Sequence, residues 1–424
     1  MGDRGGRAVG LDIAIYAVCS VFAIITAFIS EFYGYRIWGN FASVAYVFAL
    51  AHSVWLLVRR PASGWFRSRW VPIAVVGVVG MIVPLGVLVV RRLTGVDWVI
   101  TPWSWSAQPE VWVVERSARL LFDTGTPYVD IAGMANPVVN DYTPYGPAMT
   151  VFGFPRALFG TSPITDARIM FALVAAATVL LSLRLLGWPK VPVRAGQLAV
   201  ASPLTALTFA VAGPDLAIIG LMILAGALAV KDRYGWSAVV IAVVMSMKLT
   251  ALPGLVPILF LIGVRAGGKA VARVLAVIIA VTAVINVPVL IVQPGAFVEH
   301  VIKFPAGAGR VSSPAASPFP GHLLASAGPV GHTLALVLVG LTAVALVAWL
   351  IRRPPTTGSS ALVKAAVVLG VALLVVPASR YGYMVYPLAL WGAALTFAVA
   401  ERAASRPATS SFDPPRGAEV GEPR

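Results

Sequence analysis

An all-α protein that crosses a membrane many times is the fold class this sequence predicts, and three observations predict it. Of the 424 residues, 59% are hydrophobic and only 12% charged, about half the charged share of an ordinary soluble domain. Mean hydropathy is +0.87. The apolar residues fall into runs separated by short clusters of Lys and Arg, many of them near the ~20 residues that carry a helix across the hydrocarbon layer. A chain this apolar cannot hide its side chains against one another, so lipid is its solvent and the bilayer its first partner. The 12 Trp agree, since Trp favours the headgroup layer. The net charge of +15 lies between apolar runs and forms no basic stripe with interleaved aromatics, which argues against nucleic acid. Cys19 is the single cysteine, so no intrachain disulfide is expected. No cleavable leader pattern precedes the first apolar run.

The first three spans are expected at 11–31, 38–58 and 70–91. Arg59, Arg60, Arg67 and Arg69 place the second connection in the cytoplasm, and the N-terminus with Arg4 and Arg7 joins it. Residues 1–92 are thus an N-terminal helical region, and the third helix leaves on the outer side near Arg92. Residues 93–163 form a long, less hydrophobic outer loop holding Asp97, Glu110, Glu115, Asp123, Asp130 and Asp141. Within it, 110–122 has helical apolar spacing and Gly125-Thr126-Pro127 reads as a stop. The short apolar stretch 147–159, broken by Pro155 and Arg156, reads as an interfacial or re-entrant helix.

The region 164–402 carries the remaining spans, at 164–187, 197–212, 214–231, 235–249, 250–265, 270–293, 331–351, 361–377 and 382–400, for about twelve in all. Basic clusters again mark the inner ends. A second outer loop, 294–329, contains Lys303, Arg310 and His322. The polar, Pro-rich tail 403–424 is expected to be a disordered cytoplasmic segment. No period of 20–50 residues and no inverted repeat is visible, which disfavours transporter folds built from two related halves.

Polar residues at the outer ends of these spans are the candidates for chemistry. Glu110 opens the loop helix; a carboxylate beside an apolar rim suits a general base, with Asp97 and Glu115 as alternatives. The five-residue spacing of Glu110 and Glu115 separates them on a helix, unlike an i,i+4 pair. Asp141, Tyr142 and Tyr145 lie in a turn before the short apolar stretch, where two Tyr and an Asp can stack on and bond a sugar. Asp215 starts a helix after Gly213-Pro214. Lys248 and Arg380 are cations on the outer side, against the charge bias, and phosphate oxygens would explain both. His322 and Tyr381 complete the set. No P-loop and no GxGxxG is present, which argues against cytoplasmic nucleotide chemistry.

The run Glu110-Val111-Trp112-Val113-Val114, then Ala118-Arg119-Leu120-Leu121 and Gly125-Thr126-Pro127-Tyr128, resembles the first outer loop of GT-C superfamily glycosyltransferases. More narrowly, it resembles the actinobacterial polyprenol-phosphate-mannose-dependent mannosyltransferases. Tyr142-Thr143-Pro144-Tyr145-Gly146-Pro147 is similar to the family's Tyr-Pro-Pro-type segment. Lys248 to Pro253 is similar to its Lys-Pro motif, and Ser379 to Tyr383 to its polar stretch before the last span. The sequence departs from the pattern in having Glu110 where the family usually has Asp, in spacing Lys248 from Pro253, and in two additional N-terminal spans.

The resemblance implies a GT-C-like fold with its catalytic site on the first outer loop. It also implies inverting transfer of a sugar, mannose above others, from a polyprenyl phosphate to a cell-envelope glycolipid or glycan on the outer face of a bacterial plasma membrane. The loop carboxylate Glu110 would be the base. Lys248, His322 and Arg380 would contact the donor phosphate, while Asp141, Tyr142, Tyr145, Asp215 and Tyr381 would contact sugars. The donor phosphate is itself an adequate leaving group, so no metal or other cofactor is demanded. The rival expectation is a secondary transporter or a lipid or glycolipid flippase, which would also carry about twelve spans. The sequence sets neither the sugar, the linkage nor the oligomeric state.

Overall fold

A computed structural model describes residues 3–61, 63–94, 106–312 and 314–405. All secondary structure among them is helical. The first three passages are α1 (Asp3–Ile29), α2 (Tyr33–Arg59), and α3 (Trp70–Gly77) continued through a π turn at Val78–Ile82 into α4 (Val83–Thr94). Then α5 (Pro109–Thr124), a 3-10 stretch at Pro147–Gly153 and α6 (Phe154–Phe159) form a helical cap over one end of the molecule. Pro109 at the first position and Gly125 in the left-handed region (φ 76°) delimit α5, the usual asymmetry of helix ends.

The chain next forms α7 (Ala167–Leu185), the short α8 (Val193–Ala199) and α9 (Pro203–Val211), α10 (Pro214–Val230) and α11 (Tyr234–Met247). Helix α12 (Leu252–Val292) is broken at Gly267 (φ 77°, ψ 176°). A straight helix of its 41 residues would run about 60 Å, twice the hydrocarbon thickness. Instead it folds back: Gly263 faces Val271, and Asn286 donates to the Ser246 hydroxyl at 2.9 Å, level with the end of α11. After α13 (Pro294–Phe297), a π turn at Val298–Lys303 and α14 (Pro320–Ala325), the last passages are α15 (Pro329–Arg352), α16 (Gly358–Val375) and α17 (Val385–Ala404).

Eight helices among the described residues are long and apolar enough to cross a membrane, or nine if the bent pair α9–α10 is one span. The count differs from the expected twelve at three places. The segments at 197–212 and 235–249 are helices of only 7, 9 and 14 residues, and those expected at 250–265 and 270–293 are the two arms of α12, which fold back at Gly267 and enter the count as a single apolar helix. The expectations for Asp97 and for the tail beyond Ser405 lie outside the described residues.

Helix α10 is the hub, buried on nearly every face and packed on α7, α11, α12, α16 and α17. Its Ala and Gly residues let neighbouring backbones approach, the usual device for joining helices in lipid. A second cluster packs α1, α2 and α3 around Tyr16, Trp38, Tyr46 and Ile73. Helix α15 lies outermost, with Leu334, Val337, Leu341 and Val344 exposed, as a lipid-facing helix requires. This is a multi-pass membrane protein.

Candidate active site

The cap and the helix ends beneath it enclose a cleft. Its walls come from the start of α5, the turn before residue 147, the start of α10, the break between α11 and α12, and the 3-10 turn Tyr381–Met384 that leads into α17. Two backbone bonds fix these pieces together: Gln108 N–H on the Val211 carbonyl and Gly146 N–H on the Met247 carbonyl, both at 2.9 Å. A Cβ at residue 146 would collide with the Ser246 carbonyl oxygen, so only glycine lets the turn carrying Tyr145 lie against the strand of backbone carrying Lys248.

Two lobes meet in this cleft, and Glu110, Tyr145, Lys248, Arg380 and Tyr383 line both. Glu110 sits in the first turn of α5, where the helix macrodipole favours a negative charge. Its Oε1 accepts a hydrogen bond from Arg380 Nη1. Its Oε2 is buried and has no hydrogen-bond partner among the described residues. The Glu110 carboxylate, more than any other group, holds the Arg380 guanidinium above its ordinary pKa despite burial.

Lys248 is also buried. Its Nζ donates to Asp215 Oδ1 at 2.5 Å, and Tyr386 donates its hydroxyl to the same oxygen at 2.7 Å. The ammonium lies 4.4 Å from the Tyr383 ring centroid and 5.8 Å from that of Tyr145. This aromatic cage with one carboxylate stabilises a cation in a nearly dry place.

The structure brings Glu110, Tyr145, Lys248 and Arg380 together at the junction of the lobes. Asp215 and Tyr381 line one lobe and Tyr142 the other. Tyr142 is fully buried, stacked on Phe304 at 4.1 Å, and donates its hydroxyl to Glu299 Oε1 at 2.9 Å.

Three expected site residues are placed elsewhere. Glu115 is buried on another face of α5, where Arg92 grips it at 2.6 Å and Arg156 at 3.4 Å. Its Oε1 also accepts the Ala167 N–H at 3.1 Å, so both its oxygens are committed to structure. Asp141 accepts the Val138 N–H at 2.8 Å; it closes its own turn rather than facing a lobe. His322 lines neither lobe, because α14 directs its Nδ1 to the Pro377 carbonyl at 3.0 Å.

Tyr35 and His300 escaped the sequence reading. Tyr35 on α2 and Gln108 reach the cleft beside Glu110. His300 fastens the cap: its Nδ1 accepts the Thr143 N–H at 2.8 Å and its Nε2 bonds the Val129 carbonyl at 2.8 Å. That pair of bonds fixes the neutral ring with its proton on Nε2, and burial pushes the imidazole pKa down to about 4. Arg116 holds the same turn through the carbonyls of Asn140 and Asp141 at 2.9 and 2.8 Å. A lone His among apolar residues gives no local signal of such a role. Among the described residues, no three His, Cys, Asp or Glu side chains are grouped to hold a metal ion.

A buried ion network stiffens the floor. Asp166 caps α7 and is bound by Arg168 and Arg92, both at 2.9 Å. Burial opposes its charge, and the two guanidiniums more than offset this, Arg168 foremost, so its pKa falls below the usual carboxylate range. Arg168 reaches on to the Ser106 and Ala210 carbonyls at 2.8 and 3.1 Å, tying the cap to α9.

Comparison with known proteins gives one match. The model of glycosyltransferase family 87 matches residues 142–377. No curated protein and no solved structure matches the chain. The matched stretch contains Tyr142, Tyr145, Asp215 and Lys248, and the cleft is completed by Glu110 before it and Arg380 after it. A multi-pass helical frame with this cleft fits a membrane glycosyltransferase of GT-C type, which displaces the transporter and flippase expectations. The match spans more than half of the sequence, and the chain belongs to glycosyltransferase family 87.

Proposed function

We propose that the protein moves a sugar, mannose by resemblance, from a polyprenyl phosphate to a hydroxyl of a cell-envelope glycolipid or glycan. One observation carries the reading: Glu110 has one oxygen held by Arg380 and the other buried without a partner, beside a second cation, Lys248. A buried, unsatisfied carboxylate oxygen is costly. An acceptor hydroxyl would satisfy it and place its proton on the base.

In this reaction the acceptor oxygen attacks the anomeric carbon. The bond from that carbon to the phosphate oxygen breaks, its electron pair leaves on the phosphate, and Glu110 Oε2 takes the acceptor's proton. Attack opposite the leaving group inverts the anomeric centre. Lys248 and Arg380 stabilise the charge on the departing phosphate, an electrostatic contribution set up before reaction. Because the phosphate leaves readily, no metal is required. Support for a site on the outer face of the plasma membrane comes from charge. The opposite helix ends carry Arg59, Arg184, Arg352 and Arg402 in their last turns, as cytoplasmic ends do.

The test is transfer of label from radiolabelled polyprenyl phosphomannose to an envelope glycolipid fraction, using purified protein in nanodiscs beside Glu110→Gln. The expected result is transfer by the wild type and a loss of about 10²–10⁴-fold in the folded variant, the worth of a general base. Absence of transfer from mannose, arabinose and glucose donors alike would overturn the reading.

A further inference from the structure

The second lobe of the cleft has a wall that lies outside the stretch shared with the family model. Tyr35 on α2 lines it beside Glu110, Gln108, Asp215 and Tyr381. The Tyr381 ring is 45% exposed and leans on Phe22 of α1, with centroids 6.2 Å apart. The helical hairpin α1–α2 thus supplies one lining residue directly and backs another.

Two polar groups of this lobe keep unused hydrogen-bonding capacity. The Tyr35 hydroxyl accepts a bond from Gln108 Nε2, its one hydrogen bond among the described residues, so its own proton has no acceptor. Both hydrogen bonds given to Asp215 fall on Oδ1, leaving Oδ2 for the lobe. A phenol donor, a carboxylate oxygen and an accessible aromatic face are what a pyranose requires: partners for its hydroxyls and a ring to cover its C–H face.

The wall is also stiff. A Cβ at Gly39 would stand 2.5 Å from the Ala27 backbone nitrogen, so α1 and α2 touch backbone to backbone. Trp38 donates its indole N–H to the Gly80 carbonyl at 2.9 Å, and Tyr46 its hydroxyl to the Ala201 carbonyl at 3.0 Å. The first lobe differs, presenting Val301, Phe304, Pro305 and Pro314, surfaces suited to isoprenoid units next to the donor phosphate.

We infer that the α1–α2 hairpin completes a carbohydrate subsite for the acceptor, in which Tyr35 donates a hydrogen bond to a sugar hydroxyl neighbouring the one that Glu110 deprotonates. Tyr35 is then a specificity-determining residue. The inference rests on the glycosyltransferase reading above, and two readouts separate their failures.

The first readout is kinetic, with full-length protein in nanodiscs, polyprenyl phosphomannose, and an envelope glycolipid fraction that supports transfer. Tyr35→Phe and Tyr381→Leu are compared with wild type. Removing one ligand hydrogen bond raises the acceptor KM about tenfold, and the donor KM stays within twofold. A rise in donor KM with acceptor KM unchanged, or no change in either, overturns the subsite while leaving the enzyme class in place. The second readout needs no turnover. Saturation-transfer NMR of methyl α-mannoside is recorded with the donor lobe filled by polyprenyl phosphate. The signal is expected with wild type and lost with Tyr35→Phe. Equal signals from both proteins overturn the inference even where no transfer is found.

Discussion

Replacing Asp215 by Asn removes the one carboxylate bonded to a buried ammonium among the described residues. Lys248 and Asp215 are 7% and 9% exposed and meet at 2.5 Å. Removing one member of a buried pair destabilises a protein by about 3–5 kcal/mol, because the survivor is left charged and dry. The rings of Tyr383 and Tyr145 around Lys248 recover about 1 kcal/mol of that. The expected loss for Asp215→Asn is therefore about 3 kcal/mol. Lys248→Met alone leaves a buried carboxylate still bonded by Tyr386 and loses about as much. The double variant, with neither charge, is expected within about 1 kcal/mol of wild type, giving a coupling of about 5 kcal/mol, above the roughly 0.5–3 kcal/mol usual for touching residues because each single variant strands a buried charge. The assay is reversible unfolding in mixed micelles for the four proteins of the cycle, with transfer activity measured on each. Recovered stability without recovered activity separates the two roles of Lys248, since Met cannot hold a phosphate. Additive losses would refute the buried-pair argument. A stable double variant that transfers sugar at the wild-type rate would refute Lys248 as a donor ligand.

Further perturbations test the frame and the donor contact. Glu115→Ala leaves Arg92 facing a single carboxylate, Asp166, and is expected to lower stability by about 3–5 kcal/mol; equal unfolding curves for the variant and wild type would count against the network. The His300 pKa, pushed down to about 4 from an ordinary 6.5, makes stability depend on pH. Between those values the unfolded chain binds more protons, so stability is complete above about pH 6.5 and falls as pH drops toward 4, by about 3 kcal/mol in all. His300→Gln is expected to flatten that dependence, and a pH profile unchanged by the substitution would contradict it. In Arg380→Gln the departing phosphate loses a cation, so the donor KM is expected to rise; an unmoved donor KM would mean that Arg380 does not hold the phosphate.

The sequence by itself determined the solvent of this protein and the positions of its long helices. Those properties are local. Hydropathy summed over one turn after another does not depend on what packs beside it, and Pro109 and Gly125 delimit α5 through their own backbone preferences. The same locality explains where the reading stopped. Glu110 and Glu115 share one helix, five residues and about 140° apart around its axis, so spacing alone says that they face different ways but not which way each faces. Packing of α5 sets that phase. One carboxylate turns to Arg380, 270 residues away, and the other to Arg92 and the start of α7. His322 and Asp141 have the right chemistry and approximate depth, yet each satisfies a nearby backbone group first, as buried polar side chains must. Tyr35 and His300 carried no local mark at all, because their partners arrive only when the hairpin, the cap and the break before α12 are brought to one end of the bundle. Which polar groups are spent on structure and which remain for a substrate is a property of the assembled fold, since a hydrogen bond is counted only when both of its partners are in place.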